Sequence, residues 1–214
     1  DLKLQESRFD LKVSELRNAF LAHWVKGEKN DIMEKPAVNY YTYGDDTSVD
    51  APGMEWRTAD DWPPFPTVET PYYLSTDNAL VTVAPTAENA AQTFTYDPEN
   101  PFPTLGGANL LIPSGPYDQR KAREGRTDLL AFATAPLDRP TEVTGRIWVR
   151  LFVSTDCPDT DFTAKLLDIY PDGDAREILI QDGIQRVKFR DGFSQAAPLL
   201  TSADQIVEVK IDLW

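Results

Sequence analysis

The chain has 214 residues, 41% of them apolar, and a formal net charge of −14. That length admits one large or two modest domains, and the apolar share suffices for a packed core. The acidity disfavours nucleic acid as a partner, because phosphates are repelled at long range, and no run of about 18 apolar residues marks a membrane span.

Cys157 is the only cysteine and His23 the only histidine. An internal disulfide and a cysteine metal cluster are therefore excluded, and the lone thiol fits a reducing compartment. A zinc site would need carboxylates for nearly every ligand, and a serine–histidine pair would have to use His23. No basic segment followed by an apolar run opens the chain, so no secretory signal is visible.

In chain order, residues 9–27 predict a helix. Val13, Leu16, Phe20 and Trp24 recur at near-helical spacing and define an apolar stripe, opposite Lys12, Glu15 and Lys26. Ser7 or Asp10 suits the start, and Gly27 suits the residue just past the end. After it comes a connector in which Val38–Tyr43 predicts a strand. Trp56 and Trp62 follow, and Pro63, Pro64 and Pro66 exclude regular helix or central strand around them. An extended segment pinned to a domain surface by its aromatic residues is expected there.

From Pro71 onward short apolar runs alternate with Pro, Gly, Asn and Asp turn signals. Strands are predicted at Leu129–Thr134, Glu142–Ser154, Phe162–Tyr170 and Ile184–Arg190. In the second of these, Val143, Ile147, Val149, Leu151 and Val153 share a face. Val207, Val209, Ile211 and Leu213 alternate with Glu208, Lys210 and Asp212, the signature of a strand with one buried and one wet face. Several strands without interspersed helices predict a mainly β domain, a sandwich or jelly roll. Both ends read as cut: Asp1 opens without a domain-opening feature, and Trp214 closes a strand with no turn after it.

Five motifs lie in order along the chain: LRNAFLAHWVKG (Leu16–Gly27), EWRTADDWPP (Glu55–Pro64), TYDPENPFPTLGGANL running into GPYDQ (Thr95–Gln119), Leu129–Thr134, and Glu142–Gly173, which ends in TDFTAKLLDIYPDG. Together they resemble the X-Pro dipeptidyl-peptidase and cocaine esterase (CocE/NonD) family of serine hydrolases, with the acylases of glutaryl-7-aminocephalosporanic acid as a further likeness. The resemblance implies a galactose-binding-like jelly-roll β-sandwich over 71–214, cut short at its end before a further strand. It implies a connector over 36–70, and over 1–35 the last helix of an α/β-hydrolase domain. The implied function is the C-terminal β-domain region of a bacterial hydrolase acting on ester or amide bonds of a small acyl substrate. That region would support the catalytic domain and shape its acyl pocket. The implied partners are the upstream α/β-hydrolase domain and further copies of the chain, with no nucleic acid, membrane or cofactor. Bacterial cytoplasm and periplasm both fit, and a targeting signal would lie upstream. The alternative is a jelly-roll module that binds carbohydrate or another ligand.

No catalytic, cofactor or metal residue is assigned. The family's catalytic histidine lies in a Gly-Pro-Trp-x-His-like turn that this chain lacks, so His23 reads as a packing or surface residue. No Gly-x-Ser-x-Gly elbow occurs, and Ser114 lies between Pro113 and Pro116 in a loop. Gly106 and Gly107 have no following helix or Lys-Ser/Thr pair, which excludes a P-loop. They read as positive-φ or close-approach positions, and with Asn109 form a possible active-site rim. Asp156, Asp159 and Asp161 are dense enough for calcium but lack EF-hand spacing, and read as an Asx-rich turn. Trp148, Tyr96, Phe102 and Tyr117 can stack on a sugar and more often serve a core.

This reading predicts that the chain by itself hydrolyses no ester or amide. A fluorophosphonate probe is expected to leave every serine unlabelled, and stoichiometric labelling of Ser114 or any other serine would contradict it.

Overall fold

Strict alternation in the last strand produces the element around which the larger unit forms. The computed structural model describes residues 13–45, 51–86, 90–171, 173 and 175–213. The chain is mainly β, with few helices, and no closed barrel is found among the described residues. It divides into two units, one of Leu2–Glu69 with Arg139–Gly145, the other of Thr70–Asp138 with Arg146–Trp214.

In the smaller unit, helix α1 (Val13–Lys26) ends where Gly27 takes a φ of 71° and its N–H donates to His23 O at 3.1 Å. This is the left-handed glycine cap expected from the sequence. The predicted positions 9–12, with the caps Ser7 and Asp10, lie outside the described residues. The apolar stripe does not pack as a stripe: Val13, Phe20 and Trp24 are exposed, while Leu16, Ala19, Ala22 and His23 are half-buried. That second face turns towards the 3₁₀ turn Asp31–Glu34, and Asn30 Nδ2 donates to Ala19 O at 2.9 Å.

Strand β1 (Val38–Thr42) pairs antiparallel with β2 (Glu55–Ala59). Trp56 stands edge-on to Tyr41 at 5.5 Å, and Trp62 to Tyr40 at 5.4 Å. These rings hold the proline-rich segment to the hairpin. Arg57 bridges Glu55 and Glu142, each at 2.9 Å, which fastens the 139–145 excursion to the same unit.

The larger unit opens with a small hairpin, β3 (Tyr73–Leu74) and β4 (Leu80–Val81). The expected strand at Leu129–Thr134 is not one. Only Ala133 makes a bridge, parallel to Ala79, because no neighbouring strand runs along the rest. Helix α2 (Arg120–Arg123) is a single turn.

Two antiparallel pairs then form the body: β5 (Ile147–Val153) with β8 (Val207–Leu213), and β6 (Asp161–Ile169) with β7 (Glu177–Arg186). Val209, Ile211 and Leu213 are buried together with Val187 and Leu200. Ile147, Val149, Leu151 and Val153 from β5, and Phe162, Ala164 and Leu166 from β6, pack on that cluster. Full burial of such a side chain stabilises by about 1.5–3 kcal/mol.

Three boundaries differ from expectation. Β5 begins at Ile147, and Val143, expected on its core face, is exposed in the other unit. Β7 begins at Glu177, earlier than the expected Ile184, because Glu177, Ile178 and Leu179 are buried in succession and show no alternation. Its far end stops at Arg186. There Val187 N donates to Thr160 O and Lys188 N to Asp159 Oδ1, both at 3.0 Å, and residues Val187–Phe189 turn into a 3₁₀ helix.

The wet face of β5 and β8 is a diagonal ladder. Arg146 Nε donates to Asp212 at 3.0 Å, Lys210 Nζ lies 4.0 Å above the Trp148 ring, and Arg150 Nε meets Glu208 at 3.1 Å. Each joins a residue to the partner two places along the opposing strand.

The two pairs approach closely at Gly183 on β7. A Cβ there would fall inside the contact radius of the Asp212 carbonyl oxygen and 3.1 Å from Leu213 Cδ2. Gly183→Ala is therefore expected to lower stability by about 1–3 kcal/mol through overpacking, and Ile211→Ala by about 2–5 kcal/mol through a cavity. Urea unfolding of both variants checks this; a Gly183→Ala protein as stable as the parent would show that the strands are not so close.

Candidate functional site

The residues proposed for a rim lie on one loop of the larger unit. Gly106 and Gly107 have φ of 70° and 80°, where L side chains are strained. Space forbids a side chain as well. A Cβ on Gly106 would stand 2.9 Å from the Tyr117 ring, and one on Gly107 would stand 3.0 Å from both Asp182 carboxylate oxygens. Asp182 projects from β7 and is held by Lys165 of β6 at 3.0 Å. The double glycine therefore serves both positive φ and close approach.

Gly107 N donates to Gly115 O at 2.8 Å and Gly115 N to Gly107 O at 3.0 Å, closing the loop between them. Asn109 N donates to Gly107 O at 3.0 Å, and its Nδ2 donates to Gly106 O. Asn109 is thus engaged in shaping its own loop. Beyond this base Leu110 and Leu111 are fully exposed, with Ile112 at 40%. A rigid base carrying an apolar tip into solvent is an uncommon arrangement for a loop with no partner.

The loop is seated on β7 by a second set of bonds. Tyr117 O accepts from Leu179 N at 3.0 Å, and Gln119 N donates to Glu177 O at 2.9 Å. Gln119 is 1% exposed, and its Nε2 donates to Leu105 O at 2.8 Å and Tyr117 O at 3.0 Å. Asp118 Oδ1 accepts from the backbone of Arg120 at 3.1 Å and of Glu177 at 3.2 Å. The Arg120 guanidinium reaches the same carboxylate at 2.6 Å.

An open groove of about 650 Å³ lies beside α2, lined by Asp118, Arg120, Lys121, Arg123, Arg126 and Glu177 among others. Arg120 holds Asp118, Arg123 holds Glu177 and Arg126 holds Asp128. Those arginines already have carboxylate partners, which makes the groove a poor anion trap.

The other candidates have local explanations. His23 is half-buried on α1, with its ring edge-on to Trp24 at 5.2 Å. Ser114 is exposed in the loop. Asp159 receives the Lys188 N–H at 3.0 Å, Asp161 pairs with Arg186 at 2.5 Å, and Thr155 Oγ1 accepts from Cys157 N at 3.2 Å beside Asp156. The acidic turn thus fixes the end of β7. Arg126 lies 5.5 Å above Phe102, as Lys210 covers Trp148. Tyr117 packs beside Gly106, and Tyr96 is exposed.

Sequence reading did not single out Gln119, Glu177 or Asp182. The GPYDQ motif contained the signal, but glutamine is usually exposed, and nothing local marks this one as buried.

Residues 30–214 match the X-Pro dipeptidyl-peptidase C-terminal non-catalytic domain. The chain belongs to that family. Cocaine esterase from Rhodococcus sp. (strain MB1 Bresler) is 38% identical over 92% of this chain and 34% of the esterase. Among solved structures, an aminopeptidase from a marine sediment archaeon, Thaumarchaeota archaeon, superposes with a TM-score of 0.67 at 29% identity, over 94% of this chain and 33% of that one. An α-amino acid ester hydrolase gives 0.67 at 26% identity, over 92% and 33%. The chain thus spans about a third of these relatives, and the double-glycine loop described above falls inside the matched non-catalytic domain.

The Asp118 carboxyl is pushed up by burial, but the Arg120 guanidinium and the backbone N–H groups of Arg120 and Glu177 outweigh this and hold it below its usual value. A depressed folded pKa adds stability above the unfolded value near ~3.9, and that stability is lost as pH falls through the folded value. Asp118→Asn is expected to cost about 1 kcal/mol at pH 7, a low figure because the side chain is partly solvated. The difference from the parent should shrink in urea melts repeated at about pH 3, below the unfolded value. An equal difference at both pH values would contradict this assignment.

Proposed function

We propose that this chain is the C-terminal β-domain region of a serine hydrolase that cleaves ester or amide bonds. It has no triad of its own, and it supports an upstream α/β-hydrolase domain while shaping that domain's acyl pocket. Residues 1–35 act as the last helix of the catalytic domain, 36–70 as the connector, and 71–214 as a jelly roll. Two antiparallel pairs that share one apolar core suit that architecture. The similar proteins are named for ester and peptide hydrolysis, which share attack on an acyl carbonyl and release of an acyl-enzyme by water.

One observation carries the rim reading: the loop closed by the Gly107–Gly115 pair keeps Leu110 and Leu111 fully exposed on a firmly bonded base. Placed against a catalytic domain, those leucines give an apolar wall for an acyl chain. Gly106, Gly107 and Asn109 set the wall's position rather than touch the reacting atoms.

The test is the double substitution Leu110→Asp/Leu111→Asp in the protein that carries the catalytic domain. Hydrolysis of a p-nitrophenyl ester with a longer acyl chain is expected to fall by about 10-fold or more in kcat/KM relative to the acetyl ester, since an apolar pocket contact carries a factor of about 10–200. An unchanged ratio in a folded variant would overturn the rim reading.

A further inference from the structure

We infer that Gln119 is the positioning residue that sets the orientation of the Gly106–Gly115 loop, and through it the acyl selectivity of the pocket. The inference rests on the rim reading above and adds to it the group that fixes the rim.

A buried side-chain amide must use its donors, and Gln119 uses both on the loop's two arms. Leu105 precedes the double glycine and Tyr117 follows Gly115, so one planar NH₂ group ties the entering strand of the loop to the leaving one. The residue's main chain is itself rooted. The Gln119 backbone N–H donates to Glu177 O, and its backbone carbonyl accepts from Arg123 N at 3.1 Å. Gln119 thus joins three things at once: both arms of the loop, the first residues of β7, and α2.

The Gly107–Gly115 pair is one rung across the loop. A single rung fixes the distance between the arms but lets the tip swing. The Gln119 amide, one step further from the tip, is a second rung in a fixed plane. Together the two rungs fix the direction in which Leu110 and Leu111 project. The Gln119 Oε1 is buried with no partner among the described residues, so the amide is held by its two donated bonds. The same shape without donors would fill the space and release the arms.

The experiment uses the protein carrying its catalytic domain, with Gln119→Met to keep shape and remove the donors. Two quantities are read: amide hydrogen exchange at Gly107 and Gly115, and kcat and KM for p-nitrophenyl acetate against p-nitrophenyl butyrate. Exchange is expected to quicken about ten-fold or more as the loop opens locally. The butyrate-to-acetate ratio of kcat/KM is expected to shift by about ten-fold while kcat for acetate is kept. A purely structural role would lower both esters together. Unchanged exchange would overturn the role of Gln119. Faster exchange with an unchanged ratio would leave Gln119 holding the loop and overturn the rim reading instead.

Where Gln119→Met does not fold, Gln119→Glu takes its place. An ionised carboxylate repels the two carbonyls, whereas a protonated one donates to one of them, and burial raises the pKa of such a group. The ester ratio of Gln119→Glu is therefore expected to move towards the parent's as pH is lowered from 8 to 6. A ratio that does not follow pH, with parent-like exchange, would overturn the inference.

Discussion

The larger unit depends on the burial of one strand. Val209 and Ile211 have no accessible surface, and they lie where the β5–β8 pair packs against β6 and β7. The approach is close enough that β7 needs a glycine opposite the Asp212 carbonyl. Because β7 is held there at its middle, its first residues, Glu177–Leu179, offer a fixed edge. Tyr117 and Gln119 bond to that edge, and the double-glycine loop is suspended from them. The path from apolar alternation in β8 to the placement of an exposed leucine tip is thus a continuous set of contacts.

Charge is spent locally in this structure. Asp118, Asp212 and Glu142 all hold their protons less tightly than an ordinary carboxyl: Asp118 against the opposing effect of burial, Asp212 chiefly through Arg146, and Glu142 through Thr144 and then Arg57. In each case an arginine is taken up in fixing a loop or a strand end. The acidic turn at Asp159 and Asp161 does the same for the end of β7. Such pairs position backbone more than they stabilise it, since exposed ion pairs contribute about 0–1 kcal/mol.

The parts legible in the sequence are those governed by short-range periodicity. Β8 and β5 alternate because one face is wet, and α1 ends where Gly27 permits a left-handed residue. The family was legible from motif order. The start of β7 was hidden because Glu177, Ile178 and Leu179 are buried in a row. Leu129–Thr134 has strand-like composition, but pairing depends on a neighbour the local sequence does not reveal. The double glycine was recognised as a special backbone position. The glutamine that seats it was not, because its burial arises from a contact between residues 119 and 177. A site of this kind is built from long-range backbone bonds, and side-chain identity alone does not announce them.

The central claim is that this domain acts through its loop on a catalytic domain it does not itself contain. The most direct measurement is hydrolysis of p-nitrophenyl butyrate by the proposed catalytic region, expressed separately, with and without this chain added in trans. The account predicts no turnover by this chain, a weak or non-selective catalytic region, and a gain in butyrate hydrolysis on mixing that a Leu110→Asp/Leu111→Asp chain does not give. A catalytic region that shows its full rate and acyl preference unaided, and is unaffected by this chain, would contradict it.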